Sequence, residues 1–462
     1  MSLRFAKSQV RTEIREYLRL AIPLAIAQLT QSITGFADSV MMGRLGQEIL
    51  AAGGLAALTF GAVLITASGF VMGVTPLVAE AYGANRPNQI AAIARQGLWL
   101  SLILTIPMML LIGNMDSIMS QLGQAATTVT LANTYLDIML WGFFPAVAFS
   151  VLRGVVAALQ EARPIMAIVI AGTLFNIAGN YVLGFGKLGF PQMGIAGLAI
   201  ASVLSLWGMF LALVVYILRH KRLKKYRFCE NFHQIKPRII GDLIRIGLPI
   251  GVSSALEVGL FTVVTYLMGI LATDVLAAHQ IVFQTIAVIF MIPLGMSFAT
   301  TARVGQWFGQ QNLEGATRAG YVSMFVGMGF MTLMIIALLM FPYQVIGLYL
   351  DIGKPENGNV VELALPMLTV AAISQILDSL QKTTQGALYG LQDTRIPMLL
   401  SLSAFWGVGL TSGYFLGFPL GLGGTGLWIG QSIGVGIAAI VFVWRWRKLL
   451  VSLRNNTNMI KA

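Results

Sequence analysis

The residues best equipped for chemistry are a few acids and amides in runs that otherwise carry no charge. Asp38 lies in the stretch Leu18–Arg44, LRLAIPLAIAQLTQSITGFADSVMMGR, which has no charged residue from Leu20 to Ala37. Glu257 is the only charge between Ile246 and Thr273, and Asp378 follows an uncharged run from Leu363 to Leu377. Lipid cannot solvate a carboxylate, so an acid kept in such a run is a functional candidate by default. Asn176 and Asn180 are four residues apart and share a helix face. One carboxylate and two amide oxygens are hard ligands suited to Na⁺, or a setting in which the acid carries a proton. The plainer alternative is that the asparagines hold helices together. Ser202 and Gln284 are weaker candidates, for substrate contact.

Position along the helix separates the acids. Asp38 stands 19 residues past Arg19, about 28 Å at 1.5 Å per residue, in the outer part of a span that tilt can shorten. Glu257 stands 12 residues past Arg245, about 18 Å in and near the middle of the bilayer. No basic residue lies in its helical neighbourhood. Asp378 has a structural alternative, an ion pair with Lys382 four residues along the same face. Asp137 is expected at the outer end of its helix, Glu80 and Glu362 near solvated ends, and His279 as a packed or interfacial histidine. The methionines and aromatics would suit a permissive apolar pocket, because Met repacks around varied shapes.

The elements that must position these residues are membrane helices. The 462-residue chain is 57% hydrophobic and 10% charged, against roughly 25% charged in average usage, which excludes a soluble globule. Twelve apolar runs are each long enough to span: roughly 18–42, 50–80, 95–115, 127–152, 164–185, 194–218, 243–271, 276–302, 318–341, 362–388, 396–417 and 423–445. Fifty glycines fit helices whose backbones approach closely. With the N-terminus inside, 27 of the 30 Lys and Arg fall on the cytoplasmic side, leaving Arg44, Lys187 and Lys354 outside. A missed helix would invert that ratio, so twelve spans with both termini cytoplasmic are expected. The net charge of +12 therefore reflects topology and anionic lipid, and nucleic acid is excluded as a partner.

The chain is also duplicated. Leu18–Gly83 aligns without a gap on Ile244–Gly309, pairing Arg19 and Pro23 with Arg245 and Pro249, and Met42-Gly43 with Met268-Gly269. Leu159-Gln160-Glu161-Ala162-Arg163-Pro164 returns as Leu391-Gln392-Asp393-Thr394-Arg395-Ile396-Pro397. Each copy has six helices, an even number, so the copies run parallel: an N-lobe at 1–225 and a C-lobe at 226–462, with a basic linker near Arg219–Arg245. Such a duplication suits alternating access through a cavity between two bundles. The acids break the repeat. Asp38 aligns with Val264, and Glu257 with Gln31, an asymmetry that points to function more than to packing.

Enzyme motifs are missing: no HExxH and no Walker A. Without a site for ATP, an ion gradient is the expected energy source, and no cofactor is expected beyond that ion. The single cysteine, Cys229, excludes an intramolecular disulfide and a cysteine metal cluster. No cleavable signal is evident, since the first apolar run exceeds the roughly 7–15 residues of a signal core.

At the segments PLAIAQLTQ…FADSVMMGRLG, FNIAGNYVLGFG, the AAHQI turn, RVGQWFG, DSLQ and GLQDTR, the chain resembles the multidrug and toxic compound extrusion (MATE) family, in its NorM-type branch. The resemblance spans nearly the whole chain. It implies a multi-pass transporter of the bacterial inner membrane that expels amphipathic cationic drugs and dyes in exchange for Na⁺ or H⁺. It places the N-lobe coupling acid on Asp38 and the amides on Asn176 and Asn180. The C-lobe acids fall on Glu257 and Asp378. Two residues depart from the pattern. Lys382 stands where an uncharged residue is expected, and can neutralise Asp378 or act as a tethered cation. Tyr389 stands where arginine is common, near a cytoplasmic helix end where it has little bearing on coupling. Small cationic molecules and lipid are the expected partners, and two covalently joined lobes make a monomer sufficient. A lipid-linked oligosaccharide flippase of the same architecture is the alternative, disfavoured because its pyrophosphate would need basic residues in the cavity. A non-transporting receptor is disfavoured because buried acids are costly to keep unused.

Overall fold

A computed structural model describes residues 7–121, 124–228, 230 and 232–461, those from 456 on as backbone only. Cys229 lies outside the described residues. The described chain is all-α, with twelve helices long and apolar enough to cross a membrane. They are α1 Lys7–Leu45, α2 Gln47–Gly83, α3 Pro87–Gly113, α4 Ala126–Ala158, α5 Ala162–Gly184 and α6 Gly194–Arg219. After the linker come α7 Pro237–Leu271, α8 Thr273–Gly309, α9 Leu313–Met340, α10 Pro355–Gly390, α11 Arg395–Gly417 and α12 Gly423–Asn455. Several start or end a turn or more beyond their apolar runs, because charged residues end a hydrophobic stretch without ending a helix. The turn expected at Ala277–Ile281 is instead the opening of α8.

The duplication returns as matched helix ends. Asn85 and Gln311 take left-handed backbone (φ 54° and 58°), as do Gln160 and Gln392 (φ 66° and 62°). Each is followed by an amide that reaches back five residues. Arg86 N donates to the Ala81 carbonyl (2.9 Å) and Asn312 N to Trp307 (3.0 Å). Glu161 N donates to Val156 (3.1 Å) and Asp393 N to Leu388 (3.0 Å). These are Schellman caps, which satisfy orphan carbonyls at a helix C-terminus.

The chain forms two compact units. One is Ile26–Gly251; the other joins Met1–Ala25 to Val252–Ala462. The leading part of α1 thus belongs with the second copy, and the leading part of α7 with the first. The two changeover points, Ala25 and Gly251, are equivalent positions of the repeat, each two residues after a helix-interior proline, Pro23 or Pro249. Proline offers no N–H to the helix ladder and clashes with the carbonyl four residues back.

In the first unit, α4 packs against α2, α3 and α6. Gly69 of α2 meets Gly251 of α7 so closely that a Cβ on Gly69 would lie 2.2 Å from the Gly251 Cα. The linker is tied to α3 by three side chains. Trp99 Nε1 donates to the Phe232 carbonyl (2.8 Å) and Gln96 Nε2 to the Gln234 carbonyl (2.8 Å). Gln96 Oε1 accepts from Lys236 N (2.9 Å), and Arg95 donates to the Glu230 carbonyl.

In the second unit, α8 and α10 pack along much of their length, with α12 against α10. Its main core gathers Val264 and Met268 of α7, Val282 and Ile286 of α8, Met331 of α9, Met367 and Leu368 of α10, Phe405 of α11 and Leu427 of α12. α11 and α12 cross backbone to backbone, and a Cβ on Gly430 would lie 2.1 Å from the Gly413 Cα. The leading part of α1 is anchored to α8 by a buried fork-to-fork ion pair. Arg303 Nε donates to Glu13 Oε1 (2.9 Å) and Nη2 to Oε2 (2.8 Å), while Trp307 Nε1 also donates to Oε2 (3.1 Å). Arg318 Nη1 donates to Gln9 Oε1 (3.0 Å), and Tyr17 Oη to the Met296 carbonyl (3.2 Å).

Candidate functional site

Each unit contains its own polar cluster. In the first, Asp38 of α1 accepts at Oδ1 from Asn180 Nδ2 at 2.5 Å. Asn180 Nδ2 also donates to Asn176 Oδ1 (3.2 Å), and Asn176 Nδ2 donates to Ser202 Oγ of α6 (3.0 Å). Both asparagines are buried, at 1% and 0% exposure, while Asp38 is only partly buried. The four side chains make one relay from a reachable carboxylate into the packed interior. Asn180 opens a wide π-helical turn, Asn180–Gly184, at the end of α5. Such turns recur at functional sites because they re-aim side chains.

One atom of this relay is unmatched. Asn180 Oδ1 is buried and accepts no hydrogen bond among the described residues. A buried unsatisfied oxygen costs about 1–3 kcal/mol, which a bound cation or donor would recover. An amide oxygen beside a carboxylate can ligate a hard cation, and the same carboxylate can instead take a proton. Sequence reasoning missed three neighbours. Thr34 and Thr173 hydroxyls meet at 2.6 Å one turn from Asp38 and Asn176, and the buried Tyr135 of α4 lies beside Ser202. Hydroxyl residues carry no charge signal in an apolar run, so only the fold identifies them. Arg153, assigned from sequence to the cytoplasmic side, donates to Gln28 Oε1 at 2.7 Å.

In the second unit, Glu257 of α7 accepts at Oε2 from Lys382 Nζ of α10 at 2.5 Å. The side chains are 17% and 7% exposed. Lys382 also donates to Gln385 Oε1 (3.4 Å), and its ammonium lies 5.3 Å from the Phe290 ring centre. Asp378 accepts from Gln375 Nε2 at 2.9 Å. Lys382 thus crosses to Glu257 on another helix, and its alternative pairing with Asp378 on the same face is not formed. Lys382 is also buried inside α10, not a residue of a cytoplasmic loop. Tyr389 is buried against Ser253 and Gln385, so it borders this cluster and is not remote from it.

The remaining candidates separate plainly. Gln284 is exposed on α8 and joins neither cluster. His279 is buried, with Nε2 2.9 Å from Thr265 Oγ1 and its ring against Phe283 and Trp428, a packed histidine. Asp137 and Glu362 are exposed.

Comparison with known proteins fits this architecture. The MatE family model matches residues 23–182 and 249–415, one block in each repeat. A protein of Synechocystis described as probable multidrug resistance protein NorM is 52% identical over 451 residues, covering 98% of this chain and 97% of that one. A protein of the same description from Pseudomonas aeruginosa is 38% identical, covering 95% and 91%. In fold, the chain resembles a MOP superfamily transporter from Pyrococcus furiosus at 24% identity, with TM-score 0.86 and 98% and 99% of the two chains covered. It likewise resembles the eukaryotic MATE transporter AtDTX14 at 21% identity, TM-score 0.84, covering 97% and 99%. With two-thirds of its length in the family blocks and close relatives along nearly all of it, this chain belongs to the MatE family and is a multi-pass membrane transporter, not an enzyme.

Proposed function

We propose that the chain is a multidrug exporter that exchanges amphipathic organic cations for Na⁺ or H⁺, with the Asp38 cluster holding the coupling ion. The observation that carries this reading is the unmatched Asn180 Oδ1 buried beside the Asp38–Asn180 bond. Relatives described as probable multidrug resistance proteins support the substrate class. An ion at Asp38 and a cationic substrate each favour one conformational state, and export follows from their differential affinity for those states. Glu257 and Asp378 supply the negative charge of the second unit, toward which a cationic substrate is drawn. The chain is a duplication of two six-helix lobes, 1–225 and 226–462, with both termini cytoplasmic, as the distribution of lysine and arginine supports. The protein acts as a monomer in the inner membrane.

The test is efflux of a fluorescent cationic dye from loaded vesicles, with Na⁺ jumps and pH jumps applied separately. Acceleration by one ion identifies the coupling ion, and Asp38→Asn should abolish that response. Normal coupled efflux by Asp38→Asn would overturn the assignment. A protein that moves no dye but scrambles labelled lipid would overturn the exporter reading itself.

A further inference from the structure

We infer that Lys382 is a built-in cation occupying the Glu257 carboxylate, so that the second unit binds its organic cation by exchange against this lysine and takes no Na⁺. The inference rests on the exporter reading for its substrate, and on geometry for its ion. A carboxylate site for a small cation needs a free anionic oxygen, and Glu257 Oε2 already receives an ammonium at 2.5 Å. The amide that could complete such a site, Gln385 Oε1, also faces that ammonium at 3.4 Å. The Phe290 ring lies on the same ammonium at 5.3 Å, a contact that suits an organic cation as well as a lysine. The position is therefore built for an ammonium-like group.

The lysine also has somewhere to go. Asp378 lies one turn before Lys382 on the same face of α10, and its carboxylate is held by the neutral Gln375 amide at 2.9 Å. The lysine stem is long and rotatable. An incoming organic cation can take Glu257 and the Phe290 face while Lys382 moves to Asp378. Return of the lysine then expels the substrate. No bond is made or broken.

The experiment measures Na⁺-dependent thermal unfolding of the purified full chain in detergent, with choline as the control ion. All variants carry Asp38→Asn, which removes the first unit's acid. With Lys382 intact, Na⁺ should shift the melting temperature no more than choline does. With Lys382→Met, Glu257 is freed of its ammonium, and Na⁺ at about ten times its Kd should raise the melting temperature by roughly 3 °C or more. Lys382→Arg keeps the charge and should stay unresponsive. Where the methionine variant does not fold, Lys382→Gln gives the same readout. A Na⁺ response with Lys382 intact, or none once it is replaced, would overturn the inference. Absence of dye efflux by the unmodified protein would sink the exporter reading while leaving this ion test standing.

Discussion

Breaking the Glu13–Arg303 pair should be among the most damaging single changes in the second unit. Both side chains are nearly out of water, at 2% and 8% exposure, and joined at 2.8 Å and 2.9 Å through both arms of the fork. Solvent screening therefore gives no relief. Removing one partner of a buried pair costs about 3–5 kcal/mol, because the other charge is stranded. Glu13→Ala should lie at the upper end, since it orphans the Arg303 guanidinium and the Trp307 indole together. Arg303→Met should cost somewhat less, since Glu13 keeps the Trp307 donor. For a unit of this size each kcal/mol shifts the melting temperature by roughly 2–4 °C, so either change should lower it by at least about 6 °C. The double change Glu13→Met/Arg303→Met removes both charges and should recover most of the loss, because apolar replacement of a buried pair is often neutral. Thermal unfolding of the four proteins in one detergent, followed by helical circular dichroism, gives the coupling energy directly. Additive losses, or single variants melting within about 1 °C of the parent, would refute the claim that this pair anchors the leading part of α1.

Three further outcomes follow from specific contacts. Gly430→Ala should reduce folded yield sharply, because its Cβ would lie 2.1 Å from the Gly413 backbone, whereas Gly208→Ala, with nothing within 4 Å, should express normally; size-exclusion profiles of the two distinguish them. Asn180→Ala should weaken dye efflux and its dependence on the coupling ion, as it removes both the donor to Asp38 and the unmatched oxygen; a full ion response in vesicles would count against the Asp38 relay. Gln96→Leu removes two bonds that tie the linker to α3, about 1–3 kcal/mol of tethering, and should speed limited proteolysis near Lys236 several-fold while leaving the melt of the helices little changed.

The membrane fold and the candidate residues within it were legible along the chain. Apolar runs of about twenty residues can span a bilayer only as helices, because each backbone polar group must be satisfied within its own segment. That physics makes twelve spans, and the acids stranded within them, readable from composition along the chain. The i, i+4 spacing likewise puts Asn176 and Asn180 on one face. Partners across helices were not readable, because hydropathy says where a residue lies in depth but not which helix it faces. Lys382 had Asp378 at helical spacing, yet it pairs with Glu257, 125 residues away in sequence. Arg303 meets Glu13 across 290 residues. The changeovers at Ala25 and Gly251 were also invisible, since a helix that leaves one packed unit for another keeps an unbroken hydrophobic pattern. Only tertiary packing, in which each buried charge must find an opposite charge or an amide within reach, decided which acid holds the lysine and which keeps an oxygen beside it without a partner.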